Sequence, residues 1–98
     1  MRKIRIIDIP PGKAPEWVRK EWIGLELPID EELKRLYDAG QAAGQVNYPE
    51  LLYPIPSDVA LKILREKNPT AADWFDRNLR QPLVPLAFPE SVCEVIEV

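Results

Sequence analysis

Histidine is absent from the chain. Its absence removes the commonest general base, the commonest metal ligand and the usual partner of a serine or cysteine nucleophile. Cysteine is nearly absent, with Cys93 alone. One thiol forms no internal disulfide and no thiolate zinc site. Glycine occurs only at Gly12, Gly24, Gly40 and Gly44, a spacing that excludes a dinucleotide fingerprint. Pro11-Gly12-Lys13 lacks both the second glycine and the following hydroxyl of a phosphate loop. No apolar run approaches the roughly 18 residues of a membrane span. Ile4, Ile6, Ile7 and Ile9 are interrupted by Arg5 and Asp8 and stopped by Pro10, which does not suit a secretion signal. Small secreted chains often carry a disulfide framework, so the lone thiol favours a reducing compartment, with prokaryotic cytoplasm as the default expectation.

The residues that are present describe a globular domain. Apolar residues make up 46% of the 98 and charged residues 30%, which fits one folded domain over residues 1–98 and argues against disorder. The 11 prolines are spread from Pro10 to Pro89 and punctuate short apolar segments, as in ordered loops rather than a low-complexity linker.

Patterning predicts short elements of both kinds. Lys3 to Ile9, rich in isoleucine, reads as a strand stopped by Pro10-Pro11-Gly12. Ala14 to Glu21 reads as a helical turn with Pro15 at its first position. In Trp22 to Ile29, the residues Ile23, Leu25, Leu27 and Ile29 alternate with Trp22, Gly24, Glu26 and Pro28, the clearest strand pattern in the chain. Asp30 to Ala39 reads as a helix capped by Asp30 and ended by Gly40, with Leu33, Leu36 and Tyr37 as its apolar stripe. Gln41 to Pro56 is irregular and could hide a short strand.

Ser57 to Lys67 reads as a helix capped by Ser57, burying Val59, Ala60, Ile63 and Leu64. A second helix runs to Leu79, capped by Asn68 with Pro69 first, or by Thr70, and buries Ala71, Trp74, Phe75 and Leu79. Leu83 to Phe88, with Pro85 inside, suits an edge strand, and Ser91 to Val98 a final strand. Strands at both ends with helices between them imply an α+β fold: a small antiparallel or mixed sheet with two or three short helices packed on it. A partly open SH3-like barrel with inserted helices is the alternative closure.

No catalytic constellation emerges. Glu31 with Glu32 and Asp73 with Asp76 are the carboxylate pairs that could hold a cation or move a proton. Yet Glu31 and Arg35, Asp58 and Lys62, Asp73 and Arg77, and Asp76 and Arg80 stand four apart, the spacing of ion pairs on a solvated helix face. Cys93, between Val92 and Val95, reads as a small core residue.

Three segments invite a binding role. In Gln41 to Pro56, Tyr48, Leu51, Leu52 and Tyr53 offer apolar bodies with polar tips, held by nearby prolines, a composition favoured at protein interfaces. Their alternative role is to close the core. Trp17, Arg19, Lys20 and Trp22 interleave aromatic and basic groups, as surfaces that stack bases do. Residues 1–20 carry a net charge of +4, leaving −7 for the remainder of a chain whose net charge is −3. That acidic balance weighs against nucleic acid. Pro82-Leu83-Val84-Pro85 has the outline of an SH3 ligand but lacks a well-placed basic anchor. The sequence is therefore read as a non-enzymatic protein-interaction or assembly module, with no cofactor, no metal and no membrane. An unidentified protein is its expected partner, and homodimerisation through a strand edge stays open. The alternatives are a nucleic-acid-associated regulator and a carboxylate-dependent enzyme or enzyme subunit.

Overall fold

A computed structural model describes residues 1–78 and 84–98. The elements run β1 (Arg2–Ile6), α1 (Glu16–Arg19), a 3₁₀ turn (Lys20–Trp22), β2 (Glu26–Pro28), α2 (Glu31–Ala42), β3 (Leu52–Ile55), α3 (Ser57–Lys67), α4 (Pro69–Asn78), β4 (Leu86–Pro89), a second 3₁₀ turn (Glu90–Val92) and β5 (Cys93–Glu97). The fold is a small α+β domain, as the patterning predicts. Among the described residues it has four α-helices rather than two or three. Its described strands form two antiparallel sheets, β2-β1-β5 and β3-β4, and do not close into an SH3-like barrel.

The larger sheet joins the two ends of the chain. Ile4 lies opposite Leu27 on one side and Val95 on the other, and Ile6 opposite Cys93. Because side chains alternate along a strand, Ile4 and Ile6 both point inward, where they are fully buried. The Val98 amide donates to the Met1 carbonyl at 2.9 Å, so the final residues continue the pairing. The smaller sheet pairs Tyr53 with Phe88 and Ile55 with Leu86. It contains the strand hidden in the segment Gln41 to Pro56. Pro54 and Pro89 lack an amide donor, which a two-stranded sheet tolerates because each strand has an outer edge.

Trp22 is the centre of the core. Only 2% of its surface is exposed, and its ring meets Phe75 of α4 and Phe88 of β4 edge-on, at 5.7 and 5.3 Å between centroids. This placement shortens the strand expected over Trp22 to Ile29. Trp22 lies in a 3₁₀ turn, and Gly24 reverses the chain with φ +88°, a conformation that favours glycine. The Gly24 amide donates to the Ile6 carbonyl at 2.7 Å, so β2 starts only after the reversal.

Helix α2 also departs from its pattern. Asp30 caps it as expected, accepting from the Leu33 amide at 3.1 Å. It runs through Gly40 to Ala42, because Gly40 serves close packing: a Cβ there would sit 2.9 Å from Cγ2 of Val46. The expected stripe is rotated. Leu36 is 58% exposed while Lys34 is only 7% exposed. The Lys34 stem is buried, and its Nζ reaches Asp38 at 2.7 Å and lies 4.5 Å above the Tyr53 ring.

Helices α3 and α4 pack against each other across a sharp corner at Asn68. Ala60 and Leu64 of α3 and Ala71, Ala72 and Phe75 of α4 are buried, close to the expected faces. Ser57 does not cap α3. Pro56 holds the capping position, and the Ser57 hydroxyl donates instead to the Val84 carbonyl. Asn68 does cap α4, accepting from the amides of Thr70 at 3.1 Å and Ala71 at 3.2 Å, with Pro69 first in the helix. Asn68→Ala is expected to cost about 1 kcal/mol. Thermal denaturation should show a fall of about 4–8 °C, with Asn68→Asp, which keeps the acceptor, close to wild type.

Of the carboxylates expected to pair within their helices, Glu31, Asp73 and Asp76 reach cations on other elements. Arg65 of α3 binds both Asp73, at 2.7 Å, and Asp76 of α4. Glu31 pairs with Arg2 of β1 at 2.7 Å. One planar guanidinium serves two carboxylates across the α3–α4 seam better than a lysine or arginine one turn along the same helix. Leu79, Arg80 and the Pro82-Leu83 half of the SH3-ligand outline lie outside the described residues.

Candidate functional site

The loop after β1 folds back because Arg19 holds it. The Arg19 Nε donates to the Ala14 carbonyl at 2.7 Å and Nη1 to the Pro10 carbonyl at 3.2 Å. Pro15 precedes α1, and its carbonyl accepts from the amides of Val18 and Arg19 at 3.0 Å. Lys67, at the end of α3, fixes the following turn by donating to the carbonyls of Glu21 at 2.8 Å and Ile23 at 2.9 Å.

Between this loop, α4 and β4 lies a cleft of about 260 Å³. Pro10, Pro11, Gly12, Lys13 and Ala14 form one side with Arg19. Trp22, Trp74 and Phe75 supply aromatic surface, and Leu86, Ala87 and Phe88 of β4 complete the lining. Trp74 and Phe75 meet edge-on at 5.2 Å, which fixes both rings. Among the described residues the lining holds four aromatic rings, two cations and no carboxylate.

The residues expected to bind are distributed over two regions. Tyr48 and Leu51 are exposed. Leu52 is buried in β3, and Tyr53 is half-buried under Lys34. Leu52 and Tyr53 thus turn toward the body of the protein, and Tyr48 and Leu51 face solvent. Its exposed part is fixed. Gln41 Nε2 donates to the Glu50 carbonyl at 2.8 Å, and the Glu50 carboxylate accepts from the Ser91 amide at 2.7 Å and its hydroxyl at 3.0 Å.

The basic tryptophan segment is divided in the same way. Trp17 is 47% exposed and Lys20 is exposed, but Trp22 is in the core and Arg19 is occupied by the loop carbonyls. Base stacking there would fall to Trp17 alone.

The carboxylate candidates do not converge. Asp73 and Asp76 are held by Arg65, and Glu31 by Arg2. Among the described residues no three Asp, Glu or Cys side chains gather as metal ligands would, and no helix is long and apolar enough to cross a membrane. Cys93 lies partly buried against the core, and burial, with a smaller contribution from Glu50, pushes its thiol up to about 12. A thiol held so far from ionisation is a poor nucleophile at neutral pH.

The cleft is the feature that sequence reading missed. Its walls come from three separated segments, and Pro10-Pro11-Gly12 reads locally only as a strand stop. The one local signal is the adjacent pair Trp74-Phe75, since a helix that buries one of two neighbouring aromatics leaves the other at its margin. Comparison with family models, curated proteins and solved structures finds no match to this chain.

Proposed function

We propose that this chain is a non-enzymatic protein-interaction module whose aromatic cleft receives an apolar side chain from a partner protein. The carrying observation is four aromatic rings set around a recess of about 260 Å³. Pockets for whole drug-sized ligands span about 300–1,000 Å³, whereas a cavity of about 150 Å³ accommodates benzene. The recess therefore suits one large side chain better than an extended small molecule. Rings fixed by edge-on contacts and a loop tied down by Arg19 lose little entropy on binding.

A second surface favours the same class of function. Tyr48 and Leu51 are exposed on a segment pinned by Gln41 and Glu50, so their apolar area is presented without a large ordering cost.

Capture from a native, nuclease-treated lysate with three forms of the protein separates these surfaces. Ala87→Trp places a ring on an exposed wall of the cleft and should abolish capture of a protein that wild type retains. Tyr48→Ser with Leu51→Ser should retain it. Loss with the second variant and retention with the first would assign the contact to the Tyr48–Leu51 surface and overturn the cleft reading. Melting curves of both variants establish that each is folded.

A further inference from the structure

We propose that the partner segment is acidic, so that an aromatic side chain enters the cleft while a carboxylate beside it in the same segment pairs with Lys13 and Arg19. The inference rests on the cleft reading and adds the chemistry of the occupant.

The charge of the lining carries it. Among the described residues Lys13 and Arg19 are its two charged ones, and both are cationic. They stand in a chain of net charge −3, within a 20-residue segment of net +4. Among the described residues Lys13 and Arg19 have no carboxylate partner, which is true also of Lys3, Lys20, Arg35, Lys62 and Arg77, but of these seven cations Lys13 and Arg19 are the two that line the cleft. Arg19 is already oriented: two of its nitrogens are fixed on Ala14 and Pro10, and Nη2 has no hydrogen bond among the described residues. A carboxylate reaching Nη2 would meet a donor whose position is set before binding, and so whose rotamer entropy is already lost. Lys13 is exposed on the same loop and can swing to a second oxygen.

The segment must carry both groups close together. The apolar, ring-rich lining suits an aromatic side chain, and the basic side begins at Pro10–Ala14 beside it. An aromatic residue flanked by aspartate or glutamate meets both demands. A basic or hydroxyl-rich segment would bring like charge or leave the cations unpaired.

The test uses amide chemical-shift titration of the intact protein with three acetylated tripeptide amides. Each has a central phenylalanine, flanked by two aspartates, two asparagines or two lysines. The expected result is perturbation of cleft resonances with the acidic peptide binding about fivefold tighter than the neutral one, as one or two exposed charge pairs would give. The lysine peptide should bind weakest. The difference should shrink as salt is raised and should be removed by Lys13→Glu, an exposed substitution that leaves the aromatic walls intact. Equal binding of all three peptides in the cleft would overturn the acidic assignment and leave the cleft reading standing. Absence of cleft perturbation by any peptide would overturn both. A parallel titration with 3-phenylpropionate identifies the source of the carboxylate: if this free acid binds as tightly as the acidic peptide, the occupant is a small aryl acid and the assignment to a protein partner falls.

Discussion

Trp22→Ala should cost about 3–5 kcal/mol of stability, the range for truncating a large buried aromatic side chain. The ring is 2% exposed and makes two edge-on aromatic contacts, to Phe75 and Phe88. It therefore links the first 3₁₀ turn to α4 and to the smaller sheet, elements far apart in sequence. Removing it opens a cavity that its two ring partners, each fixed in a different element, cannot both move to fill, so the cost should fall at the upper part of the range. For a domain whose whole margin is about 5–15 kcal/mol, this is a large fraction of the total. The melting temperature should fall by about 12–40 °C. Trp17→Ala is the matched control, because it deletes the same side chain from an exposed site and should change stability by about 0.5 kcal/mol or less. Chemical denaturation of the two variants decides the matter. Equal losses would show that Trp22 does not hold these elements together.

The contrast between these two tryptophans shows where sequence reading succeeds. Together they flank the basic pair Arg19-Lys20, and each follows a glutamate, so local spacing does not separate them. Their fates diverge because Gly24 reverses the chain two residues after Trp22 and directs its ring inward. Period-two alternation over Trp22 to Ile29 is blind to such a reversal, since the pattern counts residues and not φ angles. The bounds of helix α3 were legible because local signals agree: an acid in the first turn, basic residues in the last, and Asn68-Pro69 to stop it, although Ser57 is its first residue and not its cap. Helix α2 was legible at its start, where Asp30 caps it, but not at its end. Gly40 carries the signature of a terminator but serves a tertiary contact with Val46. Lys34 was illegible for a related reason. Polarity assigns lysine to solvent, whereas Asp38 and the Tyr53 face satisfy its ammonium group while its stem is buried. The pairing of β1 with β5 and the assembly of the cleft from three segments are non-local, so no window of sequence contains them.

Cys93 should react with thiol reagents about two to three orders of magnitude more slowly in the folded protein than in the unfolded chain at mildly alkaline pH. Its thiol is raised from 9.0 to about 12, first by burial and then by the negative charge of Glu50. The thiolate is the reacting form, and each unit of pKa lowers its fraction tenfold when the pH lies below both values. The folded state favours the neutral thiol, so this group's contribution to stability is fully present below the unfolded pKa. It is lost as pH rises from about 9 toward about 12, where the unfolded chain ionises first. Glu50→Gln separates the two causes. It removes the carboxylate charge but keeps an acceptor for Ser91, and it should speed the reaction only modestly because burial is the larger cause. The rate is measured with a chromogenic disulfide reagent on native protein and on protein in denaturant at the same pH. Equal rates would mean that β5 opens freely at the sheet edge, exposing Cys93 without global unfolding. A slow native rate would place β5 among the cooperatively folded elements and fix Cys93 as a packing residue.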